Sequence, residues 1–206
     1  NNKEIKIKDL INYSITLYEQ QGYKFKNEFI RKELIEFLMD RLKFYMKEKG
    51  IKSDIIDAGI SSFTIDHLNK IYNKSFYLNK VLFKETGENI ISSYKRASNI
   101  LEHEFKVNNL SLSGNVDPGL FINEYEKNLL KKIQELRKYF TGINKDEKYE
   151  VSLFNLAASK EVIFEFFDKV VVNDEDKKIK KNRLELLQML CRTFENYINF
   201  SNIESI

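Results

Sequence analysis

One Pro and seven Gly in 206 residues leave this chain few places to turn sharply. A fold of many short strands needs such residues at each reversal, so their scarcity favours long helices. The apolar residues repeat accordingly. Leu10, Ser14, Leu17 and Gln21, with Ile11 and Tyr18 beside them, predict a first helix that stops near Gly22. A second is predicted over 27–49, with Leu34, Leu38, Leu42 and Tyr45 as its apolar stripe and Gly50 as a left-handed stop. Ser53 caps a short helix through Ala58, and Thr64 opens another that carries Ile65, Leu68, Ile71, Tyr72, Phe76 and Leu78. Thr86 caps a fifth, on which Ile90, Tyr94, Ala97, Leu101 and Phe105 form one stripe. The polar stretch 108–115 contains Gly114 and reads as a loop. Asp117-Pro118 then starts a helix with an acidic N-cap and a Pro in the first turn, running through Leu129, Ile133, Leu136 and Phe140 to Gly142. Helices over 147–158, 161–172 and 175–198 follow, and Val170-Val171-Val172, taken alone, would be a strand without a partner. The expected fold is an all-α, multi-helix bundle. A division near 108–117 is expected, between an N-terminal helical part (1–108) and a C-terminal bundle (117–206), unless the two form one continuous domain.

Composition narrows the setting. Cys191 is the only cysteine, so no intramolecular disulfide can form and a reducing cytoplasm is the natural compartment. No apolar run approaches the ~20 residues of a membrane span. The opening Asn1-Asn2-Lys3-Glu4 has no initiator Met and no signal-peptide pattern, as expected of a piece cut from a larger cytoplasmic protein. The net charge is only +3, from 34 basic and 31 acidic residues, so any nucleic-acid site must be a local patch. Arg is scarce beside Lys, which gives each Arg a slightly raised expectation of serving where a planar fork is needed.

Several kinds of chemistry have no foothold. His67 and His103 lie far apart, with no HxxxH or HxH spacing, and no Gly-rich phosphate loop appears. Cys191 has no His nearby in sequence to activate it and sits beside Leu187 and Phe194, as a packing residue would. Catalytic, cofactor-binding and metal-binding residues are therefore not expected in this chain.

Three blocks of sequence carry a more specific signal. The first is Phe37-Leu38-Met39-Asp40-Arg41-Leu42-Lys43-Phe44-Tyr45, with Gly50 and Asp54-Ile55-Ile56-Asp57-Ala58. The second is Glu85-Thr86-Gly87-Glu88-Asn89, running into Ser93-Tyr94-Lys95-Arg96-Ala97-Ser98-Asn99-Ile100-Leu101. The third runs from Glu165-Phe166-Phe167-Asp168 through Asp174-Glu175-Asp176 to Asn182-Arg183-Leu184-Glu185-Leu186-Leu187. In this order and spacing they resemble the C-terminal end of the β subunits of bacterial two-subunit glycyl-tRNA synthetases. The resemblance implies a DALR-type anticodon-binding domain with an additional N-terminal helical part. The Asp-Ala-Leu-Arg tetrapeptide that gives those domains their name is missing here, so that kinship rests on the overall pattern. It also implies a role in the ATP-dependent attachment of glycine to its tRNA by a glycine–tRNA ligase. The chemistry itself, with ATP and magnesium, would belong to a complete enzyme that includes the smaller α subunit. The expected partners are glycine tRNA and that α subunit. Two other classes stay open: a helical subunit-docking module that never touches RNA, and a helical hydrolase, disfavoured by the poverty in His and Cys.

Candidate RNA-binding residues follow from helical spacing. Ser92, Arg96, Asn99 and His103 share one face of the fifth helix, with Lys95 beside it. Arg and Asn can pair with base edges and Lys95 can neutralise phosphate; the alternative is a solvated stripe with Arg96 tethered to an acidic neighbour. Arg41 has Phe37 one turn before it and Phe44 and Tyr45 one turn after, so its guanidinium is expected on aromatic rings, with Lys43, Lys47, Lys49 and Lys52 forming a positive rim. Of Phe166 and Phe167 one is expected in the core while the other stacks on a base. Asp168, Asp174 or Glu175 either accepts from a cytosine amino group of a glycine anticodon, which ends in two cytosines, or caps the last helix. Lys177, Lys178, Lys180, Lys181 and Arg183 form the densest basic cluster and the expected phosphate contact.

Overall fold

The computed structural model describes the chain over 6–62, 67–82, 85–108, 111–142 and 149–204. Among these residues the regular elements are α-helices and two single 3-10 turns. They form two compact units, divided between Asn79 and Lys80. The division therefore falls within a helix, well before the 108–117 loop.

The first unit holds α1 (Ile7–Gln20), α2 (Ile30–Glu48), α3 (Ser53–Ser61) and the greater part of α4 (Leu68–Leu82). Both glycine stops work as their sequence suggests. Gly22 (φ 90°) and Gly50 (φ 75°) take the left-handed conformation. The Gly50 N–H bonds the Lys47 carbonyl at 2.9 Å and the Ile51 N–H reaches back to Met46 at 3.1 Å, which satisfies the last carbonyls of α2. Asn79 then fastens the link to α3, donating to the Gly50 carbonyl and accepting from the Lys52 N–H, each at 3.1 Å. Gly59 lets α3 and α4 approach closely: a Cβ there would stand 2.2 Å from the Ser75 hydroxyl. The buried face of α2 differs from the expected stripe. Met39 and Met46 are buried, whereas Leu34 and Tyr45 are exposed, so the helix is turned to insert its two flexible methionines. Tyr13, Phe29, Phe37 and Phe44 of this unit are also exposed. The expected Thr64 start of α4 and the side chain of Thr86 lie outside the described residues.

The second unit contains α5 (Glu85–Asn108), α6 (Glu124–Gly142), α7 (Tyr149–Ala157), α8 (Lys160–Lys169) and α9 (Lys177–Glu195). α5 belongs here because it packs on α7, α8, α9 and the 3-10 turn Phe200–Asn202. It runs antiparallel to α9: Tyr94 meets Glu195 and Phe194, while Glu104 meets Lys180. Asp117-Pro118 starts only one 3-10 turn, Pro118–Leu120, with the Asp117 carboxylate accepting from the Gly119 N–H at 2.8 Å. The chain then breaks and restarts at α6 through a reciprocal cap. The Asn123 side chain accepts from the Glu126 N–H at 3.2 Å, and Glu126 accepts from the Asn123 N–H at 3.1 Å. Val170 and Val172 are buried and Val171 is exposed, in a link that starts extended at Val170 and has no strand partner among the described residues.

α9 is the most enclosed helix. It buries Leu184, Leu186, Leu187, Leu190, Cys191 and Phe194, and polar residues as well. Asn182 holds the Asp117 backbone through both its N–H and its carbonyl, at 2.8 and 2.9 Å. Glu185 accepts from the Ser113 and Gly114 N–H groups at 2.7 and 2.6 Å. The loop before α6 is thus tied to α9 by side chains that take its backbone groups out of water without leaving them unpaired.

Candidate nucleic-acid interface

The outer face of α5 is open. Arg96, Asn99 and His103 are all exposed, and Ser92, also exposed, spends its hydroxyl on the Asn89 carbonyl of its own helix at 3.2 Å. Arg96 has no acidic tether among the described residues. Its guanidinium lies 4.4 Å over the Phe167 ring and bonds the Phe167 carbonyl at 3.4 Å. That stack fixes the planar fork while leaving its outer edge in solvent. Lys95 is half-buried beside this face.

Phe166 does not stack on a ligand. It is fully buried, edge-on to Phe167 with ring centroids 5.4 Å apart, and Phe167 is itself covered by Arg96. The aromatic that α8 presents to solvent is Phe164, at 60% exposure. Sequence reasoning missed it; the helical spacing sets Phe164 off the arc of Ile163, Phe166 and Phe167, and only the packing of α8 shows which side is buried.

The basic cluster divides. Lys177, Lys178 and Lys181 are exposed at the start of α9. Lys180 instead reaches α5 and pairs with Glu104 at 2.8 Å, an ion pair that holds the Glu104 carboxyl below its ordinary value. Arg183 is not a phosphate contact. It is only 4% exposed, with Nε on Glu126 at 2.7 Å and Nη1 on Asp174 at 2.7 Å and on the Val171 carbonyl at 2.8 Å. Buried charge of this kind requires several fixed partners, and three on separate segments provide them. The acidic turn serves α9: Asp176 is its N-cap, accepting from the Lys178 and Ile179 N–H groups, and Asp174 accepts from the Asp176 N–H at 3.0 Å. Asp168 pairs with Lys169 at 2.9 Å. His103 immediately precedes Glu104, so the exposed stripe of α5 and the remaining lysines of α9 meet at one end of the unit.

On the first unit, Arg41 lies 5.0 Å over the Phe37 ring, as its one-turn spacing suggests. Lys43 pairs with Asp57 at 3.5 Å, Lys49 lies 5.4 Å over Tyr45, and Lys47 is exposed.

A cleft of about 720 Å³ opens between α5, α9 and the Phe200–Asn202 turn. Phe105 stands at its lip instead of in the core, and Arg192 and Glu195 lie on its α9 side. Cys191 is on the floor, where burial pushes its thiol up to about 12, so it stays protonated and unreactive at neutral pH.

Residues 90–206, more than half the chain, match the DALR anticodon binding domain family, and the chain belongs to that family. It is 32% identical over 98% of its length to the glycine–tRNA ligase β subunit of Rickettsia africae and 34% identical over 98% to that of Rickettsia canadensis. It is 33% identical over 82% of its length to that of a Sulfurihydrogenibium species. The chain spans only about a quarter of these relatives, 28% of the two rickettsial proteins and 24% of the third. Among the described residues no helix is long and apolar enough to cross a membrane.

Proposed function

We propose that this chain is the anticodon-binding part of a glycine–tRNA ligase β subunit. It acts with a smaller α subunit that would carry the ATP- and magnesium-dependent attachment of glycine, in the cytoplasm. The observation that carries the reading is the exposed α5 face in a chain of the anticodon-binding family: Arg96 held flat by Phe167, with Asn99 and His103 beside it. Unstacked bases of an RNA loop are recognised by such planar and amide groups, and exposed Lys177, Lys178 and Lys181 at the same end supply phosphate contacts. Exposed Tyr13, Phe29, Phe37 and Phe44 favour a second role for the first unit, as a surface that docks on protein.

The test is a binding titration of glycine tRNA beside a non-cognate tRNA, with circular dichroism in parallel. Asn99 is exposed, so Asn99→Ala should keep the fold and weaken binding of glycine tRNA by about 1–3 kcal/mol, the usual scale of one good base pairing. Unchanged binding with intact folding would remove Asn99 from the site. Loss of helix would make the stripe structural.

A further inference from the structure

We infer that the cleft between α5 and α9 receives a single unstacked cytosine of an RNA loop, with Glu195 accepting from its amino group and Arg192 donating to its O2 carbonyl. The inference rests on the RNA-binding reading above. Its volume of about 720 Å³ lies within the range of small-ligand sites. The cleft is on the shoulder of α5, one flank round from the Arg96–Asn99 face, so a loop lying along α5 can reach both.

The chemistry of its walls is directional. The Tyr94 hydroxyl donates to one Glu195 oxygen, Oε1, at 2.8 Å, which orients the carboxylate and leaves Oε2 without a hydrogen bond among the described residues. Arg192 stands one turn before Glu195 on the same helix, and its guanidinium has no ion-pair partner among the described residues. A Cβ at Gly114 (φ 80°) would come 2.9 Å from Arg192 Nη1, so the glycine gives the guanidinium its room. Phe105, 37% exposed at the lip, offers a ring for stacking. An acceptor and a donor side by side match cytosine, which presents an amino donor and carbonyl and ring-nitrogen acceptors along one edge. Uracil has its O4 carbonyl where cytosine has the amino group, so it would leave two acceptors facing one another at Glu195.

The experiment uses fluorescent anticodon stem-loops of glycine tRNA, with the anticodon cytosines intact or replaced by uridine, and circular dichroism of every variant. The wild-type chain should prefer the cytosine loop by about tenfold or more. In Glu195→Gln the amide oxygen can keep the Tyr94 bond and turn its N–H₂ towards the base. That exchange of acceptor for donor should weaken the cytosine loop about tenfold and narrow or invert the preference. Arg192→Ala should weaken both loops, because cytosine and uracil share the carbonyl it donates to, and Phe105→Ala should do the same by loss of stacking. If Glu195→Gln folds and keeps the wild-type preference, the cleft does not read the base, and the RNA-binding reading survives. If Glu195→Gln does not fold, wild-type affinity in both Arg192→Ala and Phe105→Ala overturns the assignment. A wild-type chain that binds neither loop overturns the RNA-binding reading and the cleft assignment together.

Discussion

At the scale of single residues, Glu126 holds two structures at once. One carboxylate oxygen caps α6 by accepting from the Ile122 and Asn123 N–H groups, at 2.8 and 3.1 Å. The other takes Arg183 Nε at 2.7 Å in a site closed to water. Removing either partner strands the other charge in low dielectric, where the cost exceeds the worth of the pair itself. Arg183→Ala should therefore lower the unfolding free energy by about 3–5 kcal/mol in urea denaturation. A loss below about 1 kcal/mol, the scale of an exposed pair, would show that water reaches this site. Arg96 is the contrasting case. Its partners are an aromatic face and a backbone carbonyl, which leave its charge available to a ligand.

At the scale of elements, α5 and α9 are joined by Glu104 and Lys180 at one end and by Tyr94 and Glu195 at the other. Lys180 lowers the Glu104 carboxyl below its ordinary 4.5, with Asn108 adding a second hydrogen bond. A carboxylate whose folded value is depressed contributes stability above its unfolded value and loses it as pH falls through the folded one. The tie should hold at neutral pH and fade below about 4.5. Glu104→Gln should accordingly flatten the acid limb of a melting-temperature profile, and an unchanged limb would contradict the assignment. At the start of α9, reversing Lys177 and Lys181 to Glu should weaken every tRNA alike and reduce the slope of log affinity against log salt by about 1 per lysine. A loss confined to glycine tRNA would mean that these lysines touch bases.

Much at this scale was legible in the sequence, and the pattern of success is physical. Helix stops at Gly22 and Gly50 and the Arg41–Phe37 stack depend on neighbours within a turn or two, so spacing alone reveals them. The Asn123-to-Glu126 cap was equally readable and outweighed Asp117-Pro118 as the start of α6. Arg183 and Lys180 read as surface cations because Glu126 and Glu104 lie on other helices. Which of Phe164, Phe166 and Phe167 faces solvent is likewise set by what α8 packs against, which periodicity narrows without deciding.

At the scale of the molecule, the division between Asn79 and Lys80 assigns the candidate RNA surface to one unit and the exposed aromatic residues of α1 and α2 to the other. The family match, over 90–206, falls within the second unit. The near-balanced net charge of +3 gives little long-range attraction for RNA, so the preference proposed for one tRNA rests on the base contacts proposed for α5 and the adjoining cleft. Competition measures that preference directly. With the chain bound to labelled glycine tRNA, unlabelled glycine tRNA is titrated against a form differing only in its anticodon cytosines. About tenfold more of the altered tRNA should be needed for the same displacement. Equal displacement by the two would contradict it.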